Sequence, residues 1–188
     1  MTRVVLSIGS NLGDRMARLQ AAVDGLGDSV RALSPVYETD AWGGIEQGPF
    51  LNAVVVADDT GADGHEWLRR AQALENANDR VREQKWGPRT LDVDLVCCYE
   101  TSPDGDSEVF SLDEGLTLPH PLAHLRAFVM IPWLAVDPDA ELTVAGERQR
   151  VDRLLSELEP VDRDGVRLTG LLLRLGDDLH PDGPESGA

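Results

Sequence analysis

Along the first half of the chain the apolar positions switch repeatedly between a two-residue period and a 3.6-residue period, the change that separates strands from amphipathic helices. Residues 3–10 (RVVLSIGS) alternate well enough to predict a first strand. Leu12, Met16, Leu19, Val23 and Leu26 then recur at helical spacing, with Asn11 or Asp14 as the N-cap and Gly25 or Gly27 as the stop. Residues 30–39 (VRALSPVYET) predict a second strand, 40–49 a glycine-rich loop and 50–59 (FLNAVVVADD) a third strand. GHEWLRRAQALENANDRV predicts a second helix with Trp67, Leu68, Ala71 and Leu74 inward. A loop, REQKWGPRT, then leads to a fourth strand, LDVDLVCCY (91–99).

The order β-α-β-β-α-β predicts an α+β fold, a ferredoxin-like sandwich with helices on one face of an antiparallel sheet and the other face left for a site. Beyond it lie an acidic insertion (102–115) with no basic residue, a third helix within HPLAHLRAFVMIPWLAV, a small hairpin in ELTVAGERQRV and a short helix in VDRLLSELE. Residues 1–160 are expected to form one domain and 161–188 a C-terminal extension. The tail from Asp177, rich in Asp, Gly and Pro, is expected to be disordered.

At 188 residues the chain has single-domain length. No run approaches the roughly 18 apolar residues of a membrane span. The apolar run near the N-terminus is too short for a secretory signal, so the expected location is cytoplasmic. Cys97 and Cys98 are adjacent and face opposite sides of their strand, which excludes an ordinary disulfide or a shared zinc site. They are expected as one core and one surface thiol. A formal charge of −17 argues against nucleic acid and anionic lipid as partners. Residues 69–89 nevertheless carry +3 against −20 for the remainder, which points to a small anionic ligand bound locally. A monomer acting on small molecules is expected.

The chemistry concentrates in KWGPRTLDVDLV, residues 85–96. Asp92 and Asp94, at i and i+2, share one strand face, while Leu91, Val93 and Leu95 face the core. Two like charges that close require a positive partner, and Mg²⁺ held by one or two carboxylates plus substrate phosphates supplies one. Alone, such a D-x-D is most often a solvent-facing polar edge. Arg89 after the Gly87-Pro88 turn, with Arg80 and Arg82 just before it, favours a polyphosphate, because arginine's planar fork suits phosphate oxygens. With a single lysine, Lys85, and no G-x-x-x-x-G-K-[ST] segment, the chain holds no P-loop.

These residues resemble the signature of the hydroxymethyl-dihydropterin pyrophosphokinases, which move the β,γ-pyrophosphate of ATP onto the hydroxymethyl group of a pterin in folate biosynthesis. SIGSNLGDR, SPVYET, FLNAVV and LTLPHPLAHLRAFVMIPW resemble further family blocks in the family order, so the resemblance covers roughly residues 3–140. It implies the same ferredoxin-like fold, two Mg²⁺ ions on Asp92 and Asp94, and ATP as co-substrate. Arg80 and Arg89 would contact the polyphosphate from a closing loop that also holds Arg82 and Trp86. Gln72, Glu75, His120 and Arg126 match positions near the nucleotide. Phe50 and Phe128 would stack on the two faces of the pterin, which read from their neighbours alone as core packing. Asn52 would bind the pterin edge with backbone groups near Thr39 and Trp42. The resemblance leaves open whether Asp94 or a metal activates the attacking hydroxyl. It also leaves two rivals: a Mg²⁺-dependent nucleotidyltransferase and a catalytically silent pterin- or nucleotide-binding module. Pro121 stands where some family members carry an aromatic residue, and the segment between Arg82 and Trp86 is short.

Overall fold

The structure, a computed structural model, describes residues 1–78 and 90–176. In chain order the elements are β1 (Thr2–Ser10), α1 (Arg15–Leu26), β2 (Val30–Leu33), β3 (Tyr37–Thr39), β4 (Phe50–Asp59), α2 (Gly64–Ala77), β5 (Asp92–Ser102) and β6 (Gly105–Val109). They continue with β7 (Ser111–Leu112), β8 (Thr117–Leu118), α3 (Ala127–Val136), β9 (Glu141–Val144), β10 (Glu147–Arg150), α4 (Val151–Ser156), α5 (Pro160–Asp164) and β11 (Val166–Leu168). The main sheet runs β11-β3-β4-β1-β5-β6, with β2 also on β4, and its pairings are antiparallel. β1, paired on both sides, is its apolar centre.

Local chemistry sets the boundaries. Asp14 caps α1 by accepting the Ala17 N–H at 3.1 Å, and Gly27, at φ +55°, ends it by donating to the Val23 carbonyl. The single strand predicted over 30–39 is two. Pro35 has no N–H to continue the ladder, and at this break the Ser34 hydroxyl, in place of a backbone carbonyl, accepts the Val54 N–H at 2.8 Å. The predicted helix of 120–136 is helical only from Ala127, after a 3₁₀ turn at Ala123–Leu125. The acidic insertion forms a hairpin strand on β5, and the chain turns at Ser102-Pro103-Asp104-Gly105.

Both faces of the sheet are covered, contrary to the expectation of helices on one face only. Val4, Leu6, Ile8, Ala53, Val55, Leu91, Val93 and Leu95 pack under α1 and α2, around the buried Trp67. On the second face, Val5, Val54, Val96 and Cys97 meet Met130 and Trp133 of α3, Leu142, and Leu154 of α4. A β-bulge opposite Val5 and Leu6 turns both Val96 and Cys97 into that second core. Cys98 faces the first core, so the two thiols do point apart, but both are buried, and the expectation of a surface thiol is corrected. What stays open on the second face is the end of the sheet formed by the C-terminus of β1 and the N-termini of β4 and β5.

Candidate active site

At that open end the strand registers line up four residues across four strands. Tyr37 opposes Asn52, Asn52 opposes Gly9, and Gly9 opposes Asp92. One step inward Ser7 lies between Val54 and Asp94. Gly9 lacks a side chain where its neighbours' side chains converge, and a Cβ there would lie 2.3 Å from Asn52 Oδ1 and 3.5 Å from Phe50 Cδ1. Asn52 is buried and its Nδ2 donates to Thr39 Oγ1 at 2.6 Å, which fixes the amide over the glycine. The result is a floor with an amide at one side and a carboxylate pair at the other, two strand spacings or about 10 Å apart.

Asp92 and Asp94 are each partly exposed, while Leu91, Val93 and Leu95 between and beside them are buried, the alternation expected of a half-buried strand. Their stretch of β5 is an edge, because β6 pairs only from Cys98 onward. Its outward backbone groups are satisfied from elsewhere: Glu75 of α2 accepts the Val93 N–H at 3.0 Å, and the His120 N–H donates to the Val96 carbonyl at 2.8 Å. Glu75, only 4% exposed, thereby anchors the backbone between the two aspartates.

A protein cation also serves the pair. Arg126, 5% exposed, places Nη1 3.5 Å from Asp94 Oδ2, with its guanidinium 5.3 Å from the Trp42 ring centre and 5.5 Å from that of Phe128. Burial works against the Arg126 charge, and Asp94 and Asp92 work to hold it. His120 lies in the same field. Burial, then Arg126, pulls its imidazole down to about 4 from an ordinary 6.5, with Asp92 opposing. Its Nδ1 accepts the Leu122 N–H at 3.1 Å, so the neutral ring carries its proton on Nε2, as a donor.

The donor set fits a hard divalent cation. Two carboxylates share an accessible face, and among the described residues no group of three or more potential metal-binding side chains occurs, so the described side chains alone would leave part of a coordination shell to other oxygens. A closed structural metal site would look different.

Among the sequence-predicted residues, the structure brings together Asp92, Asp94, Arg126, His120, Trp42 and Phe128 around the carboxylates, and Phe50, Asn52 and Thr39 around Gly9. Gln72 is exposed on α2, whereas Glu75, one turn on, is buried against β5. Arg80, Arg82, Trp86 and Arg89, with the loop that carries them, lie outside the described residues. Sequence reasoning missed Gly9, whose role comes from register, and the residues that hold the loop 40–49. Asn11 Nδ2 donates to Gln47 Oε1 (2.9 Å) and the Gly48 carbonyl (3.0 Å), and Arg15 donates to the Pro49 carbonyl (3.0 Å) and Glu38 (3.3 Å). Their signal, SIGSNLGDR, was visible but gave no partner.

Comparison with known proteins identifies the family. A family model for 7,8-dihydro-6-hydroxymethylpterin-pyrophosphokinase (HPPK) matches residues 5–138. The 2-amino-4-hydroxy-6-hydroxymethyldihydropteridine pyrophosphokinase of Mycobacterium bovis is 66% identical over 169 residues, 89% of this chain and 90% of the relative. That of Mycobacterium leprae is 64% identical over 93% of both chains, and that of Methylorubrum extorquens 42% over 85% of this chain and 96% of the relative. In fold, the chain is similar to an HPPK-DHPS of Plasmodium falciparum, with a TM-score of 0.57 at 12% identity, covering 83% of this chain and 44% of that longer one. The family model over residues 5–138 and these relatives show that the chain belongs to the 7,8-dihydro-6-hydroxymethylpterin-pyrophosphokinase family.

Proposed function

We propose that this chain transfers the pyrophosphoryl group of ATP to 6-hydroxymethyl-7,8-dihydropterin in folate biosynthesis, using the sheet end around Gly9 as its active site. The family assignment gives the reaction. The observation that supports its location is the row Tyr37, Asn52, Gly9 and Asp92, which sets an amide and a carboxylate pair about 10 Å apart on one floor, a span suited to a bicyclic ring with a one-carbon arm. Asn52 reads the pterin edge, and the absence of a side chain at Gly9 leaves room for that edge to approach the strand beside Asn52. Phe50 and Phe128 cover the ring faces, for about 0.5 to 1.5 kcal/mol beyond area burial. Thr39 fixes the amide and Trp42 closes the loop side.

The pterin hydroxyl oxygen then bonds to the β-phosphorus, the bond from that phosphorus to the α,β-bridging oxygen breaks, the hydroxyl proton is lost, and AMP leaves. Asp92 and Asp94 would hold two Mg²⁺ ions, which when bound neutralise and orient the β- and γ-phosphates. Arg126 and the neutral Nε2–H of His120 face the nucleotide phosphates and ribose, with Gln72 and Glu75 on the α2 side. Arg80, Arg82, Trp86 and Arg89 would complete the polyphosphate clamp. Positioning and charge neutralisation carry the acceleration. The strand order β5-β1-β4-β3, with α1 and α2 as crossovers, supports the ferredoxin-like reading of the core. We read residues 1–160 as the catalytic domain of a cytoplasmic monomer, with the extension that follows docked on its sheet through β11 and on its first core through Leu173.

The test is AMP formation from ATP that requires both the pterin and Mg²⁺. A nucleotidyltransferase would release pyrophosphate instead, and a silent module nothing. Asp92→Asn should lower turnover by about 10²-fold or more while leaving the thermal midpoint in place. Near-normal AMP release by that variant refutes the metal assignment.

A further inference from the structure

Residues 165–174 lie beyond the segment that the family model matches, yet they are built into the sheet beside the site. β11 pairs with β3 so that Val166 opposes Thr39, Arg167 opposes Glu38 and Leu168 opposes Tyr37. β11 thus backs the strand that carries Thr39, the partner of Asn52. The Asp40 N–H donates to the Gly165 carbonyl at 2.9 Å, and the Val36 N–H to the Leu171 carbonyl at 3.1 Å. The segment then returns across the edge, buries Leu173 in the first core, and exchanges two hydrogen bonds between Arg174 and Gln20 of α1, at 2.8 and 3.0 Å.

Its charged member is Arg167. One guanidinium nitrogen lies 3.0 Å from Asp40 Oδ1 and 3.8 Å from Glu38 Oε1. The other oxygen of Glu38 lies 3.3 Å from Arg15, and Arg15 donates to the Pro49 carbonyl at 3.0 Å. Asp40 and Pro49 are the two ends of the loop 40–49, which carries Trp42 and leads into Phe50. The relay Arg167–Glu38–Arg15 therefore ties both ends of that loop, and its outermost link comes from the C-terminal segment.

We propose that this C-terminal segment is a brace for the pterin side of the active site, and that Arg167 is a positioning residue that sets pterin affinity by holding the loop 40–49 at both ends. Arg167 touches neither substrate nor the carboxylate pair; it acts through Asp40, Glu38 and Arg15. The inference rests on the pterin-site reading above, but the tie itself is a property of the fold. These pairs are half-exposed, so the tie is modest and sensitive to salt.

The experiment uses the full chain carrying Arg167→Met or Arg167→Lys, with hydrogen exchange by mass spectrometry and steady-state kinetics side by side. Arg167→Met should speed exchange in peptides covering 40–49 by about three- to ten-fold, with β1 and β5 unchanged, and raise KM for the pterin by a similar factor. The kcat and the KM for ATP should stay within about two-fold, and Arg167→Lys should fall between, because it keeps the charge and loses the fork. Unchanged exchange over 40–49, or equal acceleration throughout the sheet, overturns the brace, as does an unchanged pterin KM in an active enzyme. If the wild-type chain forms no pterin-dependent AMP, the functional reading fails and the exchange comparison alone decides the brace.

Discussion

Gly9→Ala tests the floor of the site most directly. The φ of Gly9 lies outside the left-handed region, so alanine suits its backbone, and the whole effect comes from the added methyl group. That methyl would stand 2.3 Å from Asn52 Oδ1 and 3.3 Å from Asn52 Cγ, well inside contact distance. β1 is paired on both sides through these residues, so it cannot retreat without breaking one of its registers. Asn52 must turn instead, which breaks its 2.6 Å bond to Thr39 inside a buried site. Losing a buried hydrogen bond costs about 1–3 kcal/mol, and residual overpacking about the same. The two overlap, since turning the amide relieves one by incurring the other, so a total of about 2–3 kcal/mol is expected. In a chain of this length that lowers the thermal midpoint by about 4–12 °C.

A matched control separates this effect from a general penalty on added methyls. Gly25 in α1 shows the same 2.3 Å approach, but to Leu74 Cδ2, the end of a half-buried side chain that can rotate away. Alanine also favours a helix interior over glycine by up to about 1 kcal/mol, so Gly25→Ala should not lower the midpoint and should raise it by no more than about 4 °C. Thermal unfolding followed by circular dichroism reads both variants. In kinetics, Gly9→Ala should raise the pterin KM by about ten-fold or more and leave that for ATP within about two-fold. A Gly9→Ala enzyme that melts with the wild type and binds the pterin normally would show that the floor is not where the pterin lies.

Two further outcomes follow from buried groups beside the carboxylates. Glu75→Leu removes the acceptor of the Val93 N–H, so urea unfolding should show a loss of about 1–3 kcal/mol, whereas Glu75→Gln, which keeps an acceptor oxygen, should lose less. His120 holds its folded-state value near 4 against 6.5 when unfolded, so between those values the unfolded chain binds the extra proton. Its contribution is therefore complete above about pH 6.5 and lost as the pH falls toward 4, by up to about 3 kcal/mol, a slope that His120→Gln should flatten in urea titrations at pH 4.5 to 7. NMR should find the wild-type imidazole neutral at pH 6.

The elements that sequence periodicity captured are those marked by a long apolar stretch or by their own caps. β4 matches its predicted 50–59 span because a mostly apolar stretch, interrupted by Asn52, runs from Phe50 to Ala57 between turn residues at Gly48-Pro49 and Gly61, and α1 is marked by a capping aspartate and a closing glycine. Misses arose where pairing outweighed pattern. β6 is a largely exposed acidic strand with no apolar alternation, recruited by its turn to cover the edge of β5. β11 is three residues long, and its reason for being a strand lies in β3, more than a hundred residues away. The same holds in the site. Asp92 and Asp94 could be read from spacing, but the collision that makes Gly9 a glycine depends on the β1–β4 register, and Arg126 becomes a counter-charge only because the 3₁₀ turn and α3 bring it to Asp94.

The carboxylate strand shows how stability and chemistry are kept apart within a few residues. From Leu91 to Leu95 the odd positions are buried under α2 and the even ones face the site, and Glu75 fixes the amide of the middle residue, so neither aspartate can shift without pulling on the core. The repulsion between the two acids is met in part by Arg126, itself held among Trp42, Phe128 and Asp94. At the bulge the alternation stops. Val96 and Cys97 both turn into the second core, where α3 closes over them, so the open face of β5 ends one residue past Leu95. The bulge therefore limits the site to the sheet end, and the alternation before it confines damage from even-position substitutions to chemistry and from odd-position substitutions to folding.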